Sequence, residues 1–482
     1  MTIAELEGFL HWASSRGIEL RSAEVRTSTL GGLGLFANNT IEKHNVILRV
    51  PKKNVIDLDS LLQITEKLKA DDKTGTVAVI LNAALRAGGQ ISETMIIRNF
   101  MWGFCMLLKN GTFLKDDVSV IDGYLRVLLT TPTMDIDEQD NDPDFLIQLL
   151  IEEKNTVRKS YSKLIEDYPA AESLLSFQEA FQLHQAVKSR VLEIPHAETS
   201  LEEYDYSTNI SLVPMLDFVN HSHENNAVFD VDESTNDVIL RVVKNIDSGE
   251  EITISYDPVD SVNSFLRTYG FIPEKPSEFT WTIPDLNSLL REVSGEQEYS
   301  KIAKWLQIRP EVHLDLDSSG NVGLRTEFSR LPFLLIPGLS YYDAWAPELK
   351  SFLCGASKAT EAEVDEIVEE IRIEEESEPV ILGFDTVFGV MWHDQHISHA
   401  NIREQTGLES EHGIRMLATR TFDFIRRALR PDQLVAPNRG TSPAKEGPIN
   451  EYKKLREVCF KKISELSDDK LWPVVEEWVR NL

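Results

Sequence analysis

"SLVPMLDFVNHSHENNA" (Ser211–Ala227) runs a strand-like apolar stretch directly into Asp217, Asn220, His221, Ser222, His223 and a pair of asparagines. A buried strand ordinarily ends in a short turn of Gly, Asn, Asp or Ser. Here it ends in rings, amides and an acid, the side-chain set of a ligand site. The segments that follow are strand-like too. "DVILRVVKNI" (237–246) leads through the turn "DSGEE" into "ITISYD" (252–257), where Ile252 and Ile254 alternate with Thr253 and Ser255.

Toward the N-terminus the same texture recurs between Ser22 and Ile56. "AEVRTST", the glycine-rich turn "GGLG", "LFA" and "NVILRVPKKNVI" read as short strands of a mixed or antiparallel sheet, with Pro51 ending the last. Between these two strand-rich parts, from Leu61 to about Arg190, the spacing is helical, as in "NFMWGFCMLLK" and "DFLIQLLIEEKNTVRKSYSKLIEDY", with an acidic loop "MDIDEQDNDPD". Beyond Pro273 the chain reads as mostly helical again, including the stripe Val364, Ile367, Val368 and Ile371 and the segment "NEYKKLREVCFKKISEL". "LVAPNRGTSPAKEGPINE" reads as a loop. Residues 1–17 are expected to form an amphipathic helix with a Thr2/Glu5 capping box and Gly17 as its stop, not a secretory signal. The expected divisions are 1–60 (N-terminal helix and first strand-rich part), 61–190 (helical insertion), 191–272 (second strand-rich part) and 273–482 (helical C-terminal domain).

Composition narrows the partners. The 482 residues carry a formal net charge of −30, which argues against a phosphate backbone as primary partner and suits either a basic protein or simple solubility. No run of about 18 apolar residues offers a membrane span. Cys105, Cys354 and Cys459 are far apart and form no CxxC pair, so neither a disulfide framework nor a metal site is expected, and a reducing compartment fits.

The turn Gly31-Gly32-Leu33-Gly34 lacks the spacing of a dinucleotide or phosphate loop and by itself reads as a tight hairpin. Together with "SR" (Ser189, Arg190), "NHS" (Asn220–Ser222), "YD" (Tyr256, Asp257) and "YGF" (Tyr269–Phe271), in this order and at these separations, it resembles the SET-domain methyltransferases, in the branch typified by the Rubisco large-subunit lysine methyltransferase. The resemblance covers nearly the whole chain. It implies an α+β SET fold, β-rich and with a pseudoknot, split by a helical insertion and followed by an all-α C-terminal domain that docks a protein substrate. It implies S-adenosylmethionine as cofactor, held by the backbone of Gly32, Leu33 and Gly34, by Asn220 and His221, and by Arg190, which reaches cofactor or substrate. It implies Tyr256 and Tyr269 as the catalytic residues lining a lysine channel, Phe271 as a cofactor-binding residue that completes the aromatic wall with Tyr269, and Asp217 with Arg190 on the substrate side. The family usually has an acid where this chain has Gly31. Taken singly, His221 also reads as a loop histidine, Tyr256 and Tyr269 as core packing, and Asp217 as a turn cap.

The chemistry agrees with those residue types. Methyl transfer to an amine is an in-line displacement, so the task is alignment of a neutral amine. A lysine starts near pKa ~10.4, and an aromatic sleeve disfavours its charged form. No metal or nucleophilic side chain is required. The expectation is therefore a protein-lysine N-methyltransferase acting, as a monomer in the cytoplasm or also the nucleus, on a basic ribosomal protein or translation factor. A histidine methyltransferase of the same branch and an inactive SET-fold binding module stand as alternatives.

Overall fold

The computed structural model describes residues 1–88, 92–111, 119–142, 144–195, 208–283, 289–291, 302–303, 306, 308–309, 311–317, 319–326, 329–343, 388–393, 395–397, 402–428 and 447–482. The chain divides into two compact units, one of Met1–Asp140, Leu149–Pro276 and Glu446–Ile449, the other of Asn141–Gln148, Ser277–Lys445 and Asn450–Leu482.

The first unit opens with α1 (Ile3–Ser15), capped as expected: the Thr2 side chain accepts from the Glu5 N–H, and Glu5 returns to the Thr2 N–H at 2.6 Å. Two four-stranded sheets follow. One has the order β1 (Glu19–Leu20), β4 (Val46–Val50), β9 (Val238–Val242), β8 (Ala227–Val231). The other has the order β2 (Ala23–Thr27), β3 (Leu33–Ala37), β10 (Glu251–Ile254), β7 (Asn220–His221). A separate hairpin pairs β5 (Leu192–Pro195) with β6 (Thr208–Ser211). In the second sheet β2, β3 and β10 are antiparallel, whereas β7 lies parallel to β10 with Asn220 opposite Thr253. This parallel pair carries the polar end of the opening segment back against the glycine turn.

Between β4 and β5 lie the helices α2 (Leu58–Asp71), α3 (Thr76–Arg86), α4 (Glu93–Lys109), α5 (Ser119–Leu128), α6 (Phe145–Asp167), α7 (Ala171–Leu174) and α8 (Phe177–Lys188). The central one is α4, buried without a break from Ile97 to Leu107, as a helix packed on all sides must be. Its Trp102 Nε1–H donates to the Ala180 carbonyl at 2.9 Å. α1 docks on α5 through Phe9, Trp12 and the buried Tyr124, and Phe9 also meets Phe218 at 5.7 Å between ring centres. Gly123 permits this contact, since a Cβ there would fall 2.5 Å from the Trp12 ring.

The second unit corrects the expectation of an all-α C-terminal part. Its helices α10 (Ile402–Gln405), α11 (Glu411–Ala428), α12 (Pro448–Ser464) and α13 (Asp468–Asn481) follow α9 (Val262–Tyr269) of the first unit in chain order, and are accompanied by two three-stranded antiparallel sheets. These are β11 (Glu278–Thr282), β12 (Glu311–Leu316) and β13 (Val322–Arg325), and β14 (Leu339–Asp343), β15 (Phe388–Trp392) and β16 (Gln395–Ile397). The reason is a period of two. In β11 Phe279 and Trp281 are buried and alternate with half-buried neighbours. The stripe Val364–Ile371 lies outside the described residues, as do 434–446 of the expected loop.

Within the second unit Arg456 of α12 holds two carboxylates, Asp142 at 2.7 Å and Asp144 at 2.9 Å, and Tyr452 donates to Asp144 at 3.1 Å. All four are buried. Burial pushes the Asp142 carboxyl up, and the Arg456 hydrogen bonds more than reverse it, so it lies below the usual carboxylate range. Arg456→Met would leave both carboxylates without a guanidinium. The expected loss is about 3–5 kcal/mol of stability by urea denaturation at pH 7; a loss under about 1 kcal/mol would show that water already satisfies the cluster.

Candidate active site

The site is assembled by β10, which has β3 on one side and β7 on the other. The β2–β3 connection is tight: Gly31 has φ +137° and Gly32 φ +61°, and the Ser28 N–H donates to the Gly32 carbonyl at 3.0 Å. A Cβ added to Gly34 would lie 2.3 Å from Glu251 Oε1 and 2.9 Å from Asn220 Nδ2. Glycine is required here because these two side chains already fill the space a Cβ would take. Asn220 Nδ2 donates to the Leu33 carbonyl at 3.2 Å and to Glu251 Oε1 at 2.8 Å, and the Ser28 hydroxyl donates to Glu251 Oε2 at 2.8 Å.

Next to Asn220, the buried His221 side chain accepts from the Tyr256 N–H through Nδ1 at 3.1 Å. Its ring hydrogen in the neutral form therefore sits on Nε2. Nε2 lies 3.1 Å from Asp260 Oδ1, out of line for a hydrogen bond, and both atoms are buried without another partner. Burial holds the imidazole below its ordinary pKa, and Asp260 offsets this in part, so His221 is neutral at pH 7.

An aromatic group closes the site. Tyr256 and Tyr269 are 4.9 Å apart between ring centres, Phe271 is 6.5 Å from Tyr256, and Phe265 touches His221 at 4.6 Å and Tyr269 at 5.2 Å. The Tyr256 hydroxyl donates to the Val219 carbonyl at 2.9 Å, and the Tyr269 hydroxyl to the Tyr256 carbonyl at 3.3 Å. Burial raises the pKa of both phenols, so both stay protonated. The segment before β7 is bent into position by Met215, whose φ of +75° is rare for a residue with a side chain. It leads into the turn Leu216–Phe218 that presents Asp217.

The Asp217 side chain is 5% exposed and faces Arg190, whose Nε is 3.8 Å away. Arg190 Nη1 donates to Ser189 Oγ at 3.0 Å, at the end of α8. Tyr124, from α5 of the insertion, lies on the other side of the carboxyl, and its hydroxyl, Asp217 Oδ2 and Arg190 Nε are all buried without a closed hydrogen bond. Burial raises the Asp217 pKa to about 6, while Arg190 and Tyr124 pull the other way. Gly32, Leu33, Gly34, Asn220, His221 and Tyr256 thus converge through β3, β7 and β10, the end of α9 brings Tyr269 and Phe271 against them, and Arg190 and Asp217 form an adjoining buried pair.

A family model described as cytochrome c lysine N-methyltransferase 1 matches residues 10–380. This chain belongs to that family. It is 28% identical over 349 residues to cytochrome c lysine N-methyltransferase 1 of Saccharomyces cerevisiae, covering 64% of this chain and 57% of that protein. It is 39% identical over 166 residues to the protein of the same name from Eremothecium gossypii, covering 32% of this chain and 34% of that protein. The chain thus spans about half the length or less of these curated relatives. Among solved structures, the SET domain of LSMT bound to lysine and AdoHcy aligns with a TM-score of 0.53 at 15% identity, covering 100% of this chain and 94% of that one. Rubisco LSMT bound to AdoMet aligns with a TM-score of 0.50 at 15% identity, covering 99% of this chain and 93% of that one. The fold is the SET fold, as the resemblance implied.

Four residues of the family member's site went unread in its sequence: Ser28, Glu251, Tyr124 and Asp260. Glu251 was legible only as part of a turn, and Tyr124 lies 93 residues before Asp217. Strand pairing shows what Ser28 and Glu251 face, and tertiary packing sets Tyr124 against Asp217 and Asp260 against His221. For Asp217, a folded pKa of about 6 against an ordinary 3.8 means that ionising it opposes folding. This penalty is absent below about pH 4 and complete above about pH 6. Asp217→Asn is expected to raise the midpoint of thermal unfolding by a few degrees at pH 7.5 and to leave it unchanged near pH 4. A variant less stable than wild type at pH 7.5 would show that the Arg190 pair outweighs desolvation.

Proposed function

We propose that this protein transfers methyl groups from S-adenosylmethionine to a lysine of a cytochrome c. One observation carries the reading: Asn220 and His221, paired to β10 beside the glycine turn, adjoin a sleeve of Tyr256, Tyr269 and Phe271. The family description and the names of the yeast relatives support lysine over histidine as acceptor, and a cytochrome c over the ribosomal protein or translation factor expected from the resemblance and the acidic charge. The acidic balance of −30 suits any lysine-rich protein surface by steering encounter.

Gly34, the Leu33 backbone, Asn220 and His221 would hold the cofactor, since β3 and β7 bring them together on either side of β10, with Asn220 bonded to the Leu33 carbonyl. When bound, S-adenosylmethionine supplies an electrophilic methyl on a sulfonium. The protein's part is to deliver a neutral amine in line. The aromatic sleeve excludes water, which disfavours the ammonium form of an entering lysine. Both tyrosine hydroxyl hydrogens are committed to backbone carbonyls, so the phenol oxygens present lone pairs, which accept N–H or weak C–H hydrogen bonds and orient the amine. The raised phenol pKa keeps these oxygens neutral.

The test is incubation of the purified protein with radiolabelled S-adenosylmethionine, once with cytochrome c and once with a hypomethylated extract including ribosomes, followed by mass spectrometry. Label on a lysine of cytochrome c alone is the expected result; label confined to ribosomal proteins would restore the earlier substrate. Tyr256→Phe is expected to lower turnover on the order of 100-fold with S-adenosylhomocysteine affinity unchanged. Equal turnover in the two proteins would remove Tyr256 from the mechanism.

A further inference from the structure

We propose that the Glu251 carboxylate receives the ammonium group of the cofactor's amino-acid tail, an assignment that rests on the methyltransferase reading. Glu251 starts β10 opposite Phe36 of β3, so its side chain lies diagonally over Gly34, on the same face of the sheet. Its Oε1 occupies the side of Gly34 that a Cβ would block, at 2.3 Å from that position. Among the described residues no lysine, arginine or histidine pairs with it. Its partners are two neutral donors, Ser28 Oγ and Asn220 Nδ2, one on each oxygen. A carboxylate has about four acceptor sites, so each oxygen keeps one open. A half-buried carboxylate with only neutral partners calls for a cation.

The neighbouring groups are arranged for the same cation. Asn220 spends its Nδ2 hydrogens on the Leu33 carbonyl and on Glu251, which fixes the amide so that Oδ1 faces away from both as an acceptor. Glu251 and Asn220 together therefore present acceptors, matching an ammonium, which has three donors and no acceptor. The competing role for Glu251 is to clamp the Ser28 turn, with no contact to ligand.

Calorimetric titration of the full chain separates the two roles. The ligands are S-adenosylhomocysteine and its analogue with the amine replaced by hydrogen. Wild type is expected to bind the desamino analogue at least about tenfold more weakly, and Glu251→Gln to weaken S-adenosylhomocysteine by a similar factor while leaving the analogue within about twofold. Equal losses for both ligands in Glu251→Gln, or no discrimination by wild type, would overturn the assignment. Should Glu251→Gln fail to fold, Glu251→Asp, which keeps the charge and shortens its reach, is expected to weaken S-adenosylhomocysteine more than the analogue, equal losses again overturning the assignment, and Ser28→Ala, which removes a neutral donor and keeps the carboxylate, is expected to retain the discrimination. Wild type that binds no S-adenosylhomocysteine at all overturns the methyltransferase reading, and this assignment with it.

Discussion

The register of β10 is the constraint on which the site depends. A slip of one residue along a strand turns every side chain to the opposite face. Here it would carry Glu251 away from Gly34 and separate Thr253 from Asn220. β7 is only two residues long, far too short to hold a parallel register by its own ladder. Asn226 takes over the pairing. Its side-chain amide donates to the Glu251 carbonyl at 2.8 Å and accepts from the Thr253 N–H at 2.9 Å, while its own N–H donates to the Thr253 carbonyl at 3.2 Å. Asn226 is 6% exposed, so losing any of these bonds would leave a buried polar group unmet. One asparagine thereby locks the strand that carries Glu251 at its start and leads to Tyr256.

That lock explains the composition of the opening stretch. The polar residues after Phe218 serve different purposes: Asn220 faces the glycine turn, His221 anchors the Tyr256 backbone, and Asn226 replaces a strand. Asp217 is different again. It sits in a pocket formed by Arg190 and by Tyr124 of the helical insertion, so the insertion is part of the wall around the site as well as a decoration of the fold.

The strands of the first unit were legible because their apolar residues alternate between turns rich in Gly, Asp and Ser, and the insertion because its periodicity changes to that of helices. Asn220 and His221 stood out as polar and ring-bearing residues at the end of an apolar stretch, whereas Tyr256, just past β10, and Tyr269, at the end of α9, read singly as core packing and gained their roles only from the resemblance. Glu251 did not, because "DSGEE" is a complete turn signal by itself and nothing local shows which acid crosses the sheet. The strands β11–β16 were missed where short runs such as "EFTWT" stand among helical segments, since a five-residue alternation is weak evidence without its partner strand.

Neutral tyrosines suit the proposed methyl transfer to a lysine better than charged groups would. A phenolate at Tyr256 would attract the lysine ammonium, the form whose nitrogen lone pair is occupied by a proton and cannot attack. Burial suppresses that ionisation, and the Val219 carbonyl takes the remaining hydrogen, so the oxygen is left as a neutral acceptor. Phenylalanine would keep the sleeve and lose the acceptor; a carboxylate would keep the acceptor and stabilise the wrong protonation state. In the proposed reaction the negative charge of Glu251, at the start of β10 beside the glycine turn, would meet a cationic tail, while an entering amine would meet only neutral oxygens and aromatic faces. Separation of those two electrostatic environments follows from the alternation of β10, which sends Glu251 to the turn while its far end hands the chain to Tyr256.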